Sequence, residues 1–172
     1  MRFGHVCGPG TPARTPNTAS AGIYDPMIPD AEILCIIVEV FRALQWKDFV
    51  VKINHRKVLD GMFLTAGVPA EKIRAISSAV DKLDKSPWDV VRKEMVEEKG
   101  LAEDVADRIG EYVQHKGGRE VVDLLKADER LAADPTAKKG IDDMELLFTY
   151  LDVFDVADRV SFDLSLARGL DY

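Results

Sequence analysis

Long apolar runs are absent from this sequence. The longest, Ile33 to Val40, is broken by Glu39 and is far too short to cross a bilayer, so no membrane partner is expected. Cysteine is scarce. Cys7 and Cys35 have no metal-like spacing, which excludes a disulfide scaffold and makes a reducing compartment the default. The three histidines, His5, His55 and His115, are scattered, and no two plausible ligands lie close enough in sequence to suggest zinc. There is no excess of positive charge. A net charge of −7 argues against a chain whose main task is wrapping nucleic acid, although it leaves room for a local basic patch. What is present suits a folded domain: 172 residues, 47% of them apolar and 31% charged.

Residues 1–24 contain two arginines and no carboxylate, with many Gly, Pro, Thr and Ala. This composition predicts a disordered leader. It is also acid-poor in the manner of a transit peptide, but Pro9, Pro12 and Pro16 would break the amphipathic helix such a peptide needs.

From Pro29 the pattern turns helical. Ile33, Ile37, Val40 and Leu44 form the expected inward stripe, with Asp30 and Glu32 at the positive end of the dipole. "DFVVKIN" then alternates, with Phe49, Val51 and Ile53 on one side and Lys52 and Asn54 on the other, as a strand with one buried face does. "HRKVLDGMFLTAG" returns to helical spacing and stops at Gly67. Residues 68–159 read as successive helices, with starts at Pro69 and Ser86-Pro87, stops at Gly100 and Gly117-Gly118, and a solvated loop at "ADPTAKKG". Val160, Phe162, Leu164 and Leu166 restore the two-residue period, with Asp163 facing outward. The simplest architecture is a helical insertion in a sheet domain, whose last strand pairs back with the strand around residues 49–54.

Three stretches are more specific: "DPMIPDAE" at 25–32, "SSAVDKLDKSPWDVVRKEMVEEKGLAEDVADRIGEYV" at 77–113, and "SFDLSLARGLDY" at 161–172. They resemble eukaryotic-type histidyl-tRNA synthetases, in order and over nearly the whole chain from Ala21. The resemblance implies an α+β fold: a fragment of the antiparallel-sheet catalytic domain of a class II aminoacyl-tRNA synthetase, interrupted by a mostly helical insertion domain. On that reading residues 25–67 are catalytic-domain fragment, 68–159 the insertion, and 160–172 a returning strand. The class II motifs outside this stretch and the anticodon-binding domain are missing, so the chain is expected to be truncated and inactive alone.

The family activates histidine with ATP, Mg2+ being expected with it, and transfers the histidyl group to tRNA. The implied partners are histidine, ATP, the acceptor stem of histidine tRNA and, for the family, a second subunit. The implied location is cytoplasmic, with the mitochondrion as the alternative. Arg168 matches the arginine that bridges the ATP α-phosphate and the histidine carboxylate, and it is the one catalytic and ATP-binding residue the match supplies. Its chemistry fits: attack of a carboxylate on phosphorus brings two anions together, and a planar guanidinium can hold both. Tyr172 matches the first of two tyrosines lining the histidine pocket. Where the family carries a Gln and an acidic residue for the substrate histidine, an ungapped extension of the match places Thr15 and Ala19.

The plainer readings are these. A lone arginine on a terminal strand is a solvated charge, and a terminal tyrosine merely flanks the strand. Trp46 and Trp88 are core or rim aromatics. "HRKVLDG" is a solvated helix face before it is a phosphate site, and Asp81, Lys82, Asp84 and Lys85 form a mixed-sign surface. The alternative function is a non-catalytic helical module that binds a tRNA acceptor stem or pairs with a full-length synthetase.

Overall fold

The computed structural model describes residues 24–167. The expected leader, Arg168 and Tyr172 therefore lie outside the described residues, apart from Tyr24. Helix α1 (Ile28–Ala43) precedes a short strand β1 (Val51–Ile53) and helix α2 (Arg56–Ala66). A 3-10 turn leads into α3 (Ile73–Val80), followed by α4 (Trp88–Lys93), which widens into a π turn at Glu94–Glu98. Helix α5 (Glu103–Val113), strand β2 (Lys116–Gly117), α6 (Arg119–Ala127), α7 (Glu129–Ala133), α8 (Pro135–Val153) and β3 (Val160–Asp163) complete the order.

Several signals act as their chemistry dictates. Gly67 caps α2 in the left-handed region at φ 97°, and Gly100 stands at φ 62°, conformations that cost a glycine little. Asp128 caps α7 by accepting from the amides of Arg130 and Leu131.

The expected loop at "ADPTAKKG" is instead the first two turns of α8. Asp134 accepts from the Ala137 amide at 2.7 Å and Pro135 opens the helix, so Asp-Pro is a start signal here and not a break.

The stripe expected on α1 is also wrong. Ala31, Leu34, Cys35 and Val38 are buried, while Ile33, Val40 and Leu44 face out. A helix apolar on nearly every side gives periodicity little to choose between. The buried face is the one that packs on α8. Trp46 is exposed, its ring stacked on Phe41 with centroids 5.0 Å apart.

Strand β3 lies in the middle of the sheet. It pairs with β1 as expected, but in parallel, with Val51 opposite Val160 and Ile53 opposite Phe162. A long helical crossover permits that sense. On its other side it pairs antiparallel with β2, which is too short to leave a period in the sequence. The strand ends at Asp163, and Leu164 to Leu166 form a turn.

The core is continuous across the boundary expected at residues 67 and 68. Met62 and Phe63 of α2 are buried with Leu125, Leu131, Met144 and Leu151 of the later helices. The most extensive helix contact is α2 on α8. It is close because Gly61 and Gly140 lie at the crossing: a Cβ on Gly61 would fall 2.9 Å from the Ala137 Cα, and one on Gly140 would fall 2.9 Å from the Val58 amide nitrogen.

Candidate active site

The described chain runs to within one residue of Arg168, and the segment that leads there is tightly held. Asp163, at the end of β3, is 1% exposed. One carboxylate oxygen accepts from the Ser165 amide at 3.0 Å and from its hydroxyl at 2.6 Å. The other faces the Lys52 ammonium at 2.9 Å, across the β1–β3 pair. Burial works against ionisation of Asp163, but the Ser165 donors and Lys52 outweigh it, and the carboxyl stays below the usual aspartate range. The Leu166 amide returns to the Asp163 carbonyl at 3.1 Å, closing a turn.

Two remote segments grip the same turn. The Leu164 amide donates to the His115 carbonyl at 3.2 Å, just before β2. The Asn54 side-chain amide, at the end of β1, donates to the Leu166 carbonyl at 3.0 Å. Asn54 also accepts from the His55 amide at 2.7 Å, so it is fixed through both ends of its carboxamide.

His55 is a helix cap in this structure. Its Nδ1 accepts from the Lys57 amide at 3.2 Å, and its Nε2 lies 3.8 Å from Asp143 of α8. Burial pushes its pKa down, and the Asp143 charge opposes that shift. Arg56, from the same basic stretch, pairs with Asp60 at 2.9 Å.

A cleft of about 590 Å³ opens beside the turn, walled by Ser165, Lys116, Gln114, Glu111 and Trp88. Trp88 is half-buried and lies flat against Gly110, a rim aromatic as expected. A second cavity of about 190 Å³ lies between Met27, Asn54, His55 and Met144. Among the described residues no group of three or more His, Cys, Asp or Glu could hold a metal ion, and no helix is long and apolar enough to cross a membrane.

The two residues assigned by resemblance, Arg168 and Tyr172, lie outside the described residues, as do Thr15 and Ala19. The sequence reading missed Asn54, Lys52 and Asp163, treating all three as outward positions of alternating strands. A signal for Asp163 was available: Asp-Leu-Ser at a strand end is the pattern of an aspartate folding back on the amide two residues on.

Comparison with known proteins bears on the family and the fold. The profile of the family described as histidyl-tRNA synthetase matches residues 24–172. The human mitochondrial histidine–tRNA ligase is 56% identical over 152 residues, which are 88% of this chain and 30% of that protein. A cytoplasmic histidine–tRNA ligase from Mesocricetus auratus is 55% identical over the same length and share. Among solved structures, the histidyl-tRNA synthetase from Nostoc sp. PCC 7120 superposes with a TM-score of 0.78 at 32% identity, over 85% of this chain and 34% of that one. A mixed α+β fold, mostly helical around a small sheet, thus corresponds to part of a class II aminoacyl-tRNA synthetase. Within that class the chain belongs to the histidyl-tRNA synthetase family. It spans about a third of the length of the curated relatives it matches.

Proposed function

We propose that this chain is the central part of a histidine–tRNA ligase, contributing to ATP-dependent activation of histidine and transfer of the histidyl group to tRNA. The observation that carries this reading is the family match running unbroken from residue 24 to the final Arg-Gly-Leu-Asp-Tyr. Arg168 bridges the α-phosphate and the histidine carboxylate as the two anions meet, and Tyr172 lines the histidine pocket. Mg2+ accompanies ATP, and no described residue is assigned to hold the ion. The helical block offers its surface to the acceptor stem of histidine tRNA, and the assembled enzyme is a homodimer. Relatives named mitochondrial and cytoplasmic match at 56% and 55% identity, and a cytoplasmic enzyme, with the mitochondrion as the alternative, is the location proposed.

The test is a hybrid: the human mitochondrial relative with its matching segment replaced by residues 24–172 of this chain. Histidine-dependent pyrophosphate exchange by the hybrid, lost about a thousandfold in Arg168→Ala, supports the reading. A folded hybrid without exchange refutes it. A second reading, a non-catalytic module that binds an acceptor stem, draws on the packed helical core beside a sheet of only three described strands. Binding of an acceptor-stem RNA by the chain, together with an inactive hybrid, would favour it.

A further inference from the structure

We propose that His55 is an acid-sensitive clasp, tying the start of α2 to α8 when its ring is neutral and opening when the ring is protonated. The side chain is 19% exposed and stands where α1, α2 and α8 meet. Each helix brings charge to it: Asp30 from α1, Lys57 from the first turn of α2, and Asp143 and Lys139 from α8. Arg56, beside it on α2, is held by Asp60. From the end of β1 comes only the uncharged Asn54, whose carboxamide oxygen accepts from the His55 amide.

Both ring nitrogens have fixed tasks. Nδ1 accepts from the Lys57 amide at 3.2 Å, one of the donors that a helix start leaves without a carbonyl. Nδ1 is therefore unprotonated, and the single proton of the neutral ring sits on Nε2, which faces Asp143 at 3.8 Å. That carboxylate is already held by the Lys139 ammonium. Space is also short, since a Cβ on Gly140 would lie 3.0 Å from Nδ1.

A second proton can go only to Nδ1. There it removes the acceptor of the cap, sets one N–H against another, and places positive charge at the positive end of the α2 dipole. Burial holds the ring's pKa below its ordinary value; Asp143 and Asp30 oppose that shift, and Lys57 and Lys139 add to it. A ring released from the site titrates normally and takes its proton first. The clasp is thus intact above the ordinary histidine pKa and is lost as pH falls from there towards the folded-state value.

The 172-residue chain serves for the test. Nitrogen-15 NMR of the ring at neutral pH is expected to show the Nε2–H tautomer. On acidification the ring and the Lys57 amide are expected to shift together, at lower pH than an unfolded histidine. Thermal midpoints of the parent and of His55→Asn are compared from about pH 7.5 to about pH 5, the range in which histidine titrates. Asparagine keeps a capping oxygen and does not titrate, and every other group is common to both chains. The variant is expected to gain about 2–4 °C on the parent across that range. Asp143→Asn removes the attraction that opposes opening, and is expected to carry the ring's titration lower still. An Nδ1–H tautomer at neutral pH, or a ring that titrates at or above the unfolded value, overturns the proposal. So does a gap between parent and His55→Asn that stays constant within about 1 °C, or a ring that titrates no lower in Asp143→Asn. If either variant fails to fold, the tautomer and titration of the parent ring decide alone.

Discussion

Gly61→Ala tests the tightest helix crossing in the molecule. The added Cβ would lie 2.9 Å from the Ala137 Cα and 3.1 Å from its amide nitrogen, as well as against the Ala137 methyl. These atoms belong to the backbone of α8 and cannot rotate aside. Relief requires α2 and α8 to separate, which loosens the layer formed by Met62, Phe63, Met144 and Phe148. Overpacking of this kind costs about 2–3 kcal/mol, whereas alanine in place of glycine inside a helix returns roughly 1 kcal/mol. The net loss is about 1–2 kcal/mol, which for a chain of this size lowers the thermal midpoint by roughly 2–8 °C. Thermal unfolding followed by far-ultraviolet circular dichroism measures it directly. An unchanged or raised midpoint would refute the reasoning, because helix propensity would then have outweighed the clash. Gly140→Ala, whose Cβ meets the Val58 amide and the His55 ring, is expected to act in the same direction.

Three further outcomes are expected. The 172-residue chain alone should show no histidine-dependent pyrophosphate exchange, since one arginine cannot assemble a site; turnover above a blank that Arg168→Ala removes would contradict this. Limited proteolysis should leave a helical core that begins near Arg56, because α2 packs on α8, α5 and α7; a stable product starting at residue 68 would show that α2 is dispensable. Asp163→Asn should lower the unfolding midpoint at neutral pH by an amount equivalent to about 1–3 kcal/mol. The folded-state pKa of Asp163 lies below its unfolded value, so the carboxylate's contribution is present above the unfolded pKa and is lost as pH falls through the folded one. Parent and variant midpoints should therefore converge in strong acid, and a gap that persists there would exclude charge as the cause.

Much of the fold was legible because its punctuation is chemical. Gly67 and Gly100 end their helices for the conformational reason that singles out glycine, and the strand at Val160 was visible through its alternation. The failures are equally physical. On α1, the residues that pack are the small ones, Ala31 and Cys35, beside Leu34 and Val38, while the larger Ile33 and Leu44 face out. Hydropathy ranks side chains and says nothing about which fit against α8. At 133–140, proline and glycine suggested a loop, yet Pro135 stands where a helix needs no amide and Gly140 where Val58 needs room. In the candidate site, Arg168 and Tyr172 were accessible only through family resemblance. Asn54 acts on Leu166, and Asp163 on Lys52, across about a hundred residues, a relation that no local pattern encodes, whereas the Asp163–Ser165 contact was readable locally.

The position of β3 sets an order of assembly during synthesis. Both other strands depend on it, and it is made after them. Helix α2 likewise waits for α8. At roughly 5–20 residues per second, a ribosome takes on the order of 3–14 s to travel from the end of α2 to the start of α8. For a lag of that length Met62 and Phe63 stand without the helix that buries them, and β1 without its partner β3. Among the described residues, the helices before β3 can therefore form one by one, while the pairing that joins β1 to β2 waits until β3 has been made.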